Sequence, residues 1–61
     1  MEAGVRFIVG DRVVVRKNLI MRGLHGTVVA RTRRGVVVQL DQAVLGTNVF
    51  RRPERFFEKE A

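Results

Sequence analysis

The chain has 61 residues, 46% of them hydrophobic and 30% charged, with one proline and no cysteine. That length suits a single small domain over residues 1–61, and one that buries only about 60% of its unfolded surface has little room for a deep substrate cleft. The charge is +6, from twelve Lys and Arg against six Asp and Glu, which points to a polyanionic partner.

Without cysteine there is no disulfide framework and no thiolate metal site, and a single histidine cannot make a zinc site alone. No metal or cofactor is therefore expected. No apolar stretch approaches the roughly 18 residues that span a bilayer, and the N-terminus lacks the pattern of a signal peptide. A soluble, cytoplasmic domain with no membrane partner is expected.

In chain order the pattern is strand, turn, strand. Gly10-Asp11 is a turn that leads into Val13-Val14-Val15, the first β-branched run. Lys17 to Gly26 reads as a loop, with Leu24 and His25 between Gly23 and Gly26. Val28-Val29-Ala30 and Val36 to Leu40 are the next strands, joined by Arg31-Thr32-Arg33-Arg34-Gly35 as a hairpin connection with Gly35 in the left-handed position. Asp41 to Gly46 reads as a loop, and Thr47 to Phe50 is a weaker strand. Pro53 cannot sit in a central ladder, so Arg52 to Arg55 reads as a single turn, of 3-10 type, before a short last strand at Phe56 and Phe57. The rival reading starts a C-terminal helix at Pro53.

Three segments in this order, Val9-Gly10-Asp11-Arg12-Val13-Val14-Val15, Gly23-Leu24-His25-Gly26-Thr27-Val28 and Val36 to Asp41, resemble the KOW-type, SH3-like barrel of ribosomal proteins and NusG-type transcription factors. The resemblance covers roughly residues 7 to 57. It implies an all-β, five-stranded SH3-like barrel in a nucleic-acid or ribonucleoprotein setting, with contacts made from loops. Gly23, Gly26 and Gly35 would lie where a tight barrel leaves no room for a Cβ. One departure is Asn18 to Met21, where such domains carry a Gly- and Lys-rich turn, so Leu19, Ile20 and Met21 are expected to pack against something. Gly10 to Val13 with Val49 to Phe57 also faintly resembles the plasmid-encoded type II dihydrofolate reductases, barrels that share a central pore. That family has Val-Gln-Ile-Tyr before the proline, where this chain has Val49-Phe50-Arg51-Arg52, so the resemblance implies fold and not activity, and no enzyme is expected.

Strand parity, with Val13, Val15, Val28, Ala30, Val36, Val38 and Leu40 inward, turns Arg12, Val14, Arg16, Val29, Arg31, Val37 and Gln39 outward. Parity alone does not decide between Val49 and Phe50, and Phe7 and Phe56 are expected in the core. From Arg12 to Leu40 there are seven basic residues and no acidic one. Arg33 and Arg34 at the hairpin tip are the leading phosphate contacts, because a protruding tip reaches a groove without the rest of the domain following. With Arg51 and Arg52 extending the patch, the candidate nucleic-acid contacts are Arg16, Lys17, Arg22, Arg31, Arg33, Arg34, Arg51 and Arg52. His25, Asp11 and Asp41 read as inert loop and turn residues. RNA or DNA is the expected partner. The alternative is a structural subunit that docks through Val14, Val29 and Val37 onto a larger protein or ribonucleoprotein complex. Because so small a core leaves little margin, a symmetric homodimer is also expected, burying Val14, Val29 and Val37, or Leu19, Ile20 and Met21, against a second copy.

Overall fold

The computed structural model describes residues 7–18 and 20–60 of the chain. Five antiparallel strands make one sheet: β1 (Arg12–Val15), β2 (His25–Thr32), β3 (Gly35–Val44), β4 (Thr47–Arg52) and β5 (Phe57–Lys59). A 3-10 turn over Glu54–Phe56 follows Pro53, so the single turn expected at the proline forms and the rival helix does not. The spatial order is β4-β3-β2-β1-β5. The class is all-β, as expected. The edge strands β4 and β5 share no ladder, so the sheet is not closed.

Two strands are longer than their β-branched runs. β2 starts at His25, and β3 runs on to Val44, so the expected loop over 41–46 shrinks to the two-residue turn Leu45-Gly46. Both turn residues have positive φ, at 54° and 84°, which matches the right-handed twist of the flanking strands. Asp41, Gln42 and Ala43 read as loop because they are polar or small, yet a hairpin arm beyond the core needs no apolar face.

Directly opposed residues share a face of the sheet. The inner face carries Val13, Gly26 and Leu40 in one row, Val28, Val38 and Phe50 in the next, and Val15 beside Phe57. Phe7 and Met21 complete the core, in which Phe7, Val13, Val28, Val36 and Val38 are fully buried. Among the described residues there is no second layer, so this face is buried only because the sheet curls over it. Phe50 faces inward and Val49 outward, which settles the parity between them. Phe57 takes the core place expected of Phe56, which is only half-buried. Of the first-loop residues expected to pack, Met21 does and Ile20 is exposed, while Leu19 lies outside the described residues.

A bulge in β2 corrects the parity beyond it. Val28 opposes Val38 but Ala30 opposes Val37, so Val29 is the extra residue. Ala30, expected inward, lies on the outer side, and Arg31, expected outward, shares the inner row with Val36 and Arg52.

Curling also brings backbones close. A Cβ on Gly26 would sit 2.7 Å from the Gln39 carbonyl oxygen and 2.8 Å from Val38 Cγ1. Gly35 has the positive φ expected of it, +154°, a conformation that other residues rarely adopt, and its Cβ would meet the Arg52 carbonyl oxygen at 2.2 Å. Gly26→Val is expected to cost more than about 1 kcal/mol, through displacement of β3, and to lower Tm by several degrees. A variant melting within about 2 °C of the parent in a thermal scan would refute the close approach.

Candidate nucleic-acid interface

The hairpin tip between β2 and β3 is Arg33-Arg34, with positive φ at neither arginine. The Thr32 hydroxyl fastens it, accepting from the Arg34 amide at 3.2 Å and donating to the Gly35 carbonyl at 3.2 Å. β4 ends beside it, with Arg52 opposite Val36 and Arg51 opposite Val37. Gly35 lies against the Arg52 carbonyl, so the tip and the end of β4 share one end of the sheet. Arg33, Arg34, Arg51 and Arg52 thus line one rim of the sheet. Arg55 lies in the 3-10 turn two residues beyond Pro53, whose Cα borders Gly35. It was not among the sequence candidates, and the signal that could have found it is its place two residues after Pro53, which returns the chain past the sheet end.

Arg31 sits at the same end in a different role. Its Nη1 donates to Glu54 Oε2 at 2.8 Å and to the Phe7 carbonyl, while the Phe7 amide points to the same Glu54 oxygen at 3.5 Å. The bulge at Val29 turns Arg31 toward these groups. The result is a clamp joining the N-terminal segment, β2 and the 3-10 turn. A recess of about 190 Å³, lined by Arg31, Thr32, Arg33, Arg34, Gly35 and Glu54, lies between clamp and tip.

The other sequence candidates lie elsewhere. Lys17 and Arg22 are exposed in the loop before β2, at the far end from the tip, separated by the length of β2, about 23 Å at roughly 3.3 Å per residue. Arg16 is 3.8 Å from Glu58. The structure therefore gathers four of the eight candidates at one rim, leaves two at the opposite end, and engages Arg16 and Arg31 with carboxylates.

The acidic residues explain why the rim stays positive. All five described carboxylates have basic partners: Asp41 and Glu60 with Arg12, Glu60 also with His25, Glu58 with Arg16, Glu54 with Arg31, and Asp11 with Lys59. Among the described residues, Lys17, Arg22, Arg33, Arg34, Arg51, Arg52 and Arg55 form no such pair. His25 and Asp41, read as inert from the sequence, belong to a network on the outer face. His25 Nδ1 lies 2.5 Å from Glu60 Oε2, and Arg12 grips Asp41 with both Nη atoms, at 2.8 and 2.6 Å, while also donating to Thr27. A depression of about 490 Å³ beside it is lined by Thr27, Val29, Gln39, Leu40, Asp41 and Asn48. Its charged group, Asp41, is already neutralised by Arg12. Among the described residues no three His, Asp or Glu side chains come together as a metal site, and no helix is long and apolar enough to cross a membrane.

Compared with protein families, curated proteins and solved structures, the chain matches none.

The hydrogen bonds from Arg12, reinforced by its charge, hold the Asp41 carboxyl below its ordinary range. A depressed carboxyl stabilises the fold where it is ionised, so the contribution is complete above the ordinary pKa of about 3.9 and is lost as pH falls through the lower folded-state value. Asp41→Asn is therefore expected to lower Tm by a constant amount near neutral pH, with a difference that shrinks toward zero in acid. Melting curves of both proteins across the acid range check this, and a difference independent of pH would refute it.

Proposed function

We propose that this domain binds the phosphate backbone of a nucleic acid through the arginine rim of Arg33, Arg34, Arg51 and Arg52, with Arg55 beside them. The observation that carries the reading is the distribution of ion pairs: the described carboxylates are matched across the outer face and at the clamp, and among the described residues four of the six unmatched guanidinium groups, those of Arg33, Arg34, Arg51 and Arg52, collect at one end of the sheet. Arginine suits the role because its planar fork meets phosphate oxygens in pairs and remains charged at all physiological pH. Lys17 and Arg22 provide a secondary contact for a long polymer. Arg16 and Arg31 act in structure, and Arg31 orients the rim through Glu54.

The resemblance of Gly10 to Val15, Gly23 to Val28 and Val36 to Asp41 to KOW-type domains supports a cytoplasmic ribonucleoprotein, transcription or DNA-associated setting for this binding. A docking role for the outer valine face has weaker support. Val14 and Val37 are half-buried there, leaving Val29 and Val49 as its exposed large apolar residues.

If four or five arginines neutralise phosphates, log K against log salt falls with a slope near −4 on a duplex, at roughly −0.9 per contact. Replacing Arg33 and Arg34 by alanine is expected to reduce the slope by about two and to weaken all sequences alike. Arg31→Ala is expected to lower Tm and, below its melting range, to leave the slope unchanged. Gel shifts over a salt series read both. Unchanged affinity in the Arg33/Arg34 double variant, or no binding of any polyanion at low salt, refutes the proposal.

A further inference from the structure

The recess between the clamp and the hairpin tip is lined by Arg31, Arg33 and Arg34 with Thr32, Gly35 and Glu54, so three positive charges stand against one negative and leave a balance of two. Arg31 is already oriented there. Its Nη1 donates to Glu54 Oε2 and to the Phe7 carbonyl, which accounts for both protons of that nitrogen. The Nε and Nη2 protons of its five-donor fork enter no hydrogen bond among the described residues. An arginine held in this way meets an anion without the ordering cost of a loose side chain. The two hydrogen bonds of the Thr32 hydroxyl fix the turn that forms the opposite wall. At about 190 Å³ the recess is smaller than the roughly 300–1,000 Å³ of sites that enclose a whole small molecule, so it suits one compact group.

We infer that this recess receives a terminal phosphate monoester of a nucleic-acid strand, a group distinct from the internal phosphodiesters met by the rim. Charge selects it first: a monoester carries about −1.5 to −2 at neutral pH, which matches the balance of two, whereas an internal diester carries a single negative charge. Shape selects it second. A monoester presents three acceptor oxygens at the end of a chain, enough for guanidinium groups on more than one side, while an internal phosphate has two such oxygens and a sugar on either side. The surroundings select the polymer. Gly35 lies against the Arg52 carbonyl, so a strand whose end occupies the recess continues along Arg51 and Arg52 at the end of β4. The choice of a nucleic acid over a phosphorylated protein rests on the phosphate-backbone reading above; the monoester site itself does not. Arg31 then serves the ligand as well as the clamp, in a role that a duplex without terminal phosphates does not reveal.

Two measurements test the site. In the first, a short single strand with a phosphate at one end is compared with a hydroxyl-ended strand two nucleotides longer, which carries the same charge. The phosphorylated strand is expected to bind the parent about tenfold more tightly, the worth of one or two charge-assisted hydrogen bonds. Arg31→Ala is expected to abolish that preference and to leave the affinity for the hydroxyl-ended strand unchanged. Equal affinities in the parent, or a preference that survives in Arg31→Ala, overturn the site. The second measurement needs no variant that must fold. Methyl phosphate titrated into the isotope-labelled parent is expected to move the amide resonances of Arg31 to Gly35 and Glu54, and dimethyl phosphate at the same concentration to leave them in place. Shifts spread equally to Lys17 and Arg22, or equal responses to the two esters, overturn the monoester site. A phosphoserine peptide of matched charge that binds as tightly as the phosphorylated strand overturns the choice of a nucleic acid. Absence of binding by hydroxyl-ended strands at low salt refutes the phosphate-backbone reading, while the methyl phosphate result stands by itself.

Discussion

A single sheet with one apolar face and no layer to cover it must bury that face by bending over it. The other features of this fold are consequences of that bend. It brings the backbone of β3 against Gly26 and the end of β4 against Gly35, two places where a side chain would collide. It sharpens at Val29, where the extra residue increases the local twist and exchanges the faces of every later residue in β2. It leaves openings at its ends, which Phe7 and Met21 fill.

The bulge links packing to electrostatics. Had β2 continued in simple alternation, Arg31 would have pointed outward beside Arg33, adding to the density of positive charge at the rim. The bulge instead brings it to Glu54 and the Phe7 backbone. There it satisfies polar groups at the mouth of the core, a position where an unpartnered donor or acceptor would be costly. The carboxylate that could have quenched the rim is occupied in the same step. Matched charges across the outer face do the same for Asp41, Glu58 and Glu60, although each exposed pair contributes little to stability by itself. Their larger effect is on the field: the excess of +6 is concentrated where the acids are not.

The rim and the β4 edge meet at Arg52. Its position opposite Val36 puts it at the sheet end, and its side chain reaches both the Phe50 ring and the Arg51 carbonyl. A cation at the margin of an edge strand is a common guard against unwanted pairing.

The sequence by itself determined the all-β class, the five short strands and their order along the chain, and most of the core, because β-branched runs between turn residues have few other ways to bury one face. It also determined that the charge is basic and arginine-borne, and that Arg33 and Arg34 occupy a turn. Tertiary structure alone decided which arginines remain unmatched. Asp41 lies 29 residues from Arg12, Glu54 lies 23 from Arg31, and Glu60 lies 35 from His25, so no local pattern announces those pairs. It also decided the side on which Arg31 falls, since a bulge leaves no mark in a run such as Val28-Val29-Ala30, where any of the three residues could be the extra one. Open edge or closed barrel was likewise beyond local reading: closure depends on whether β4 and β5, separated in sequence only by Pro53 and one turn, come within hydrogen-bonding distance, and that is set by the curvature of the whole sheet.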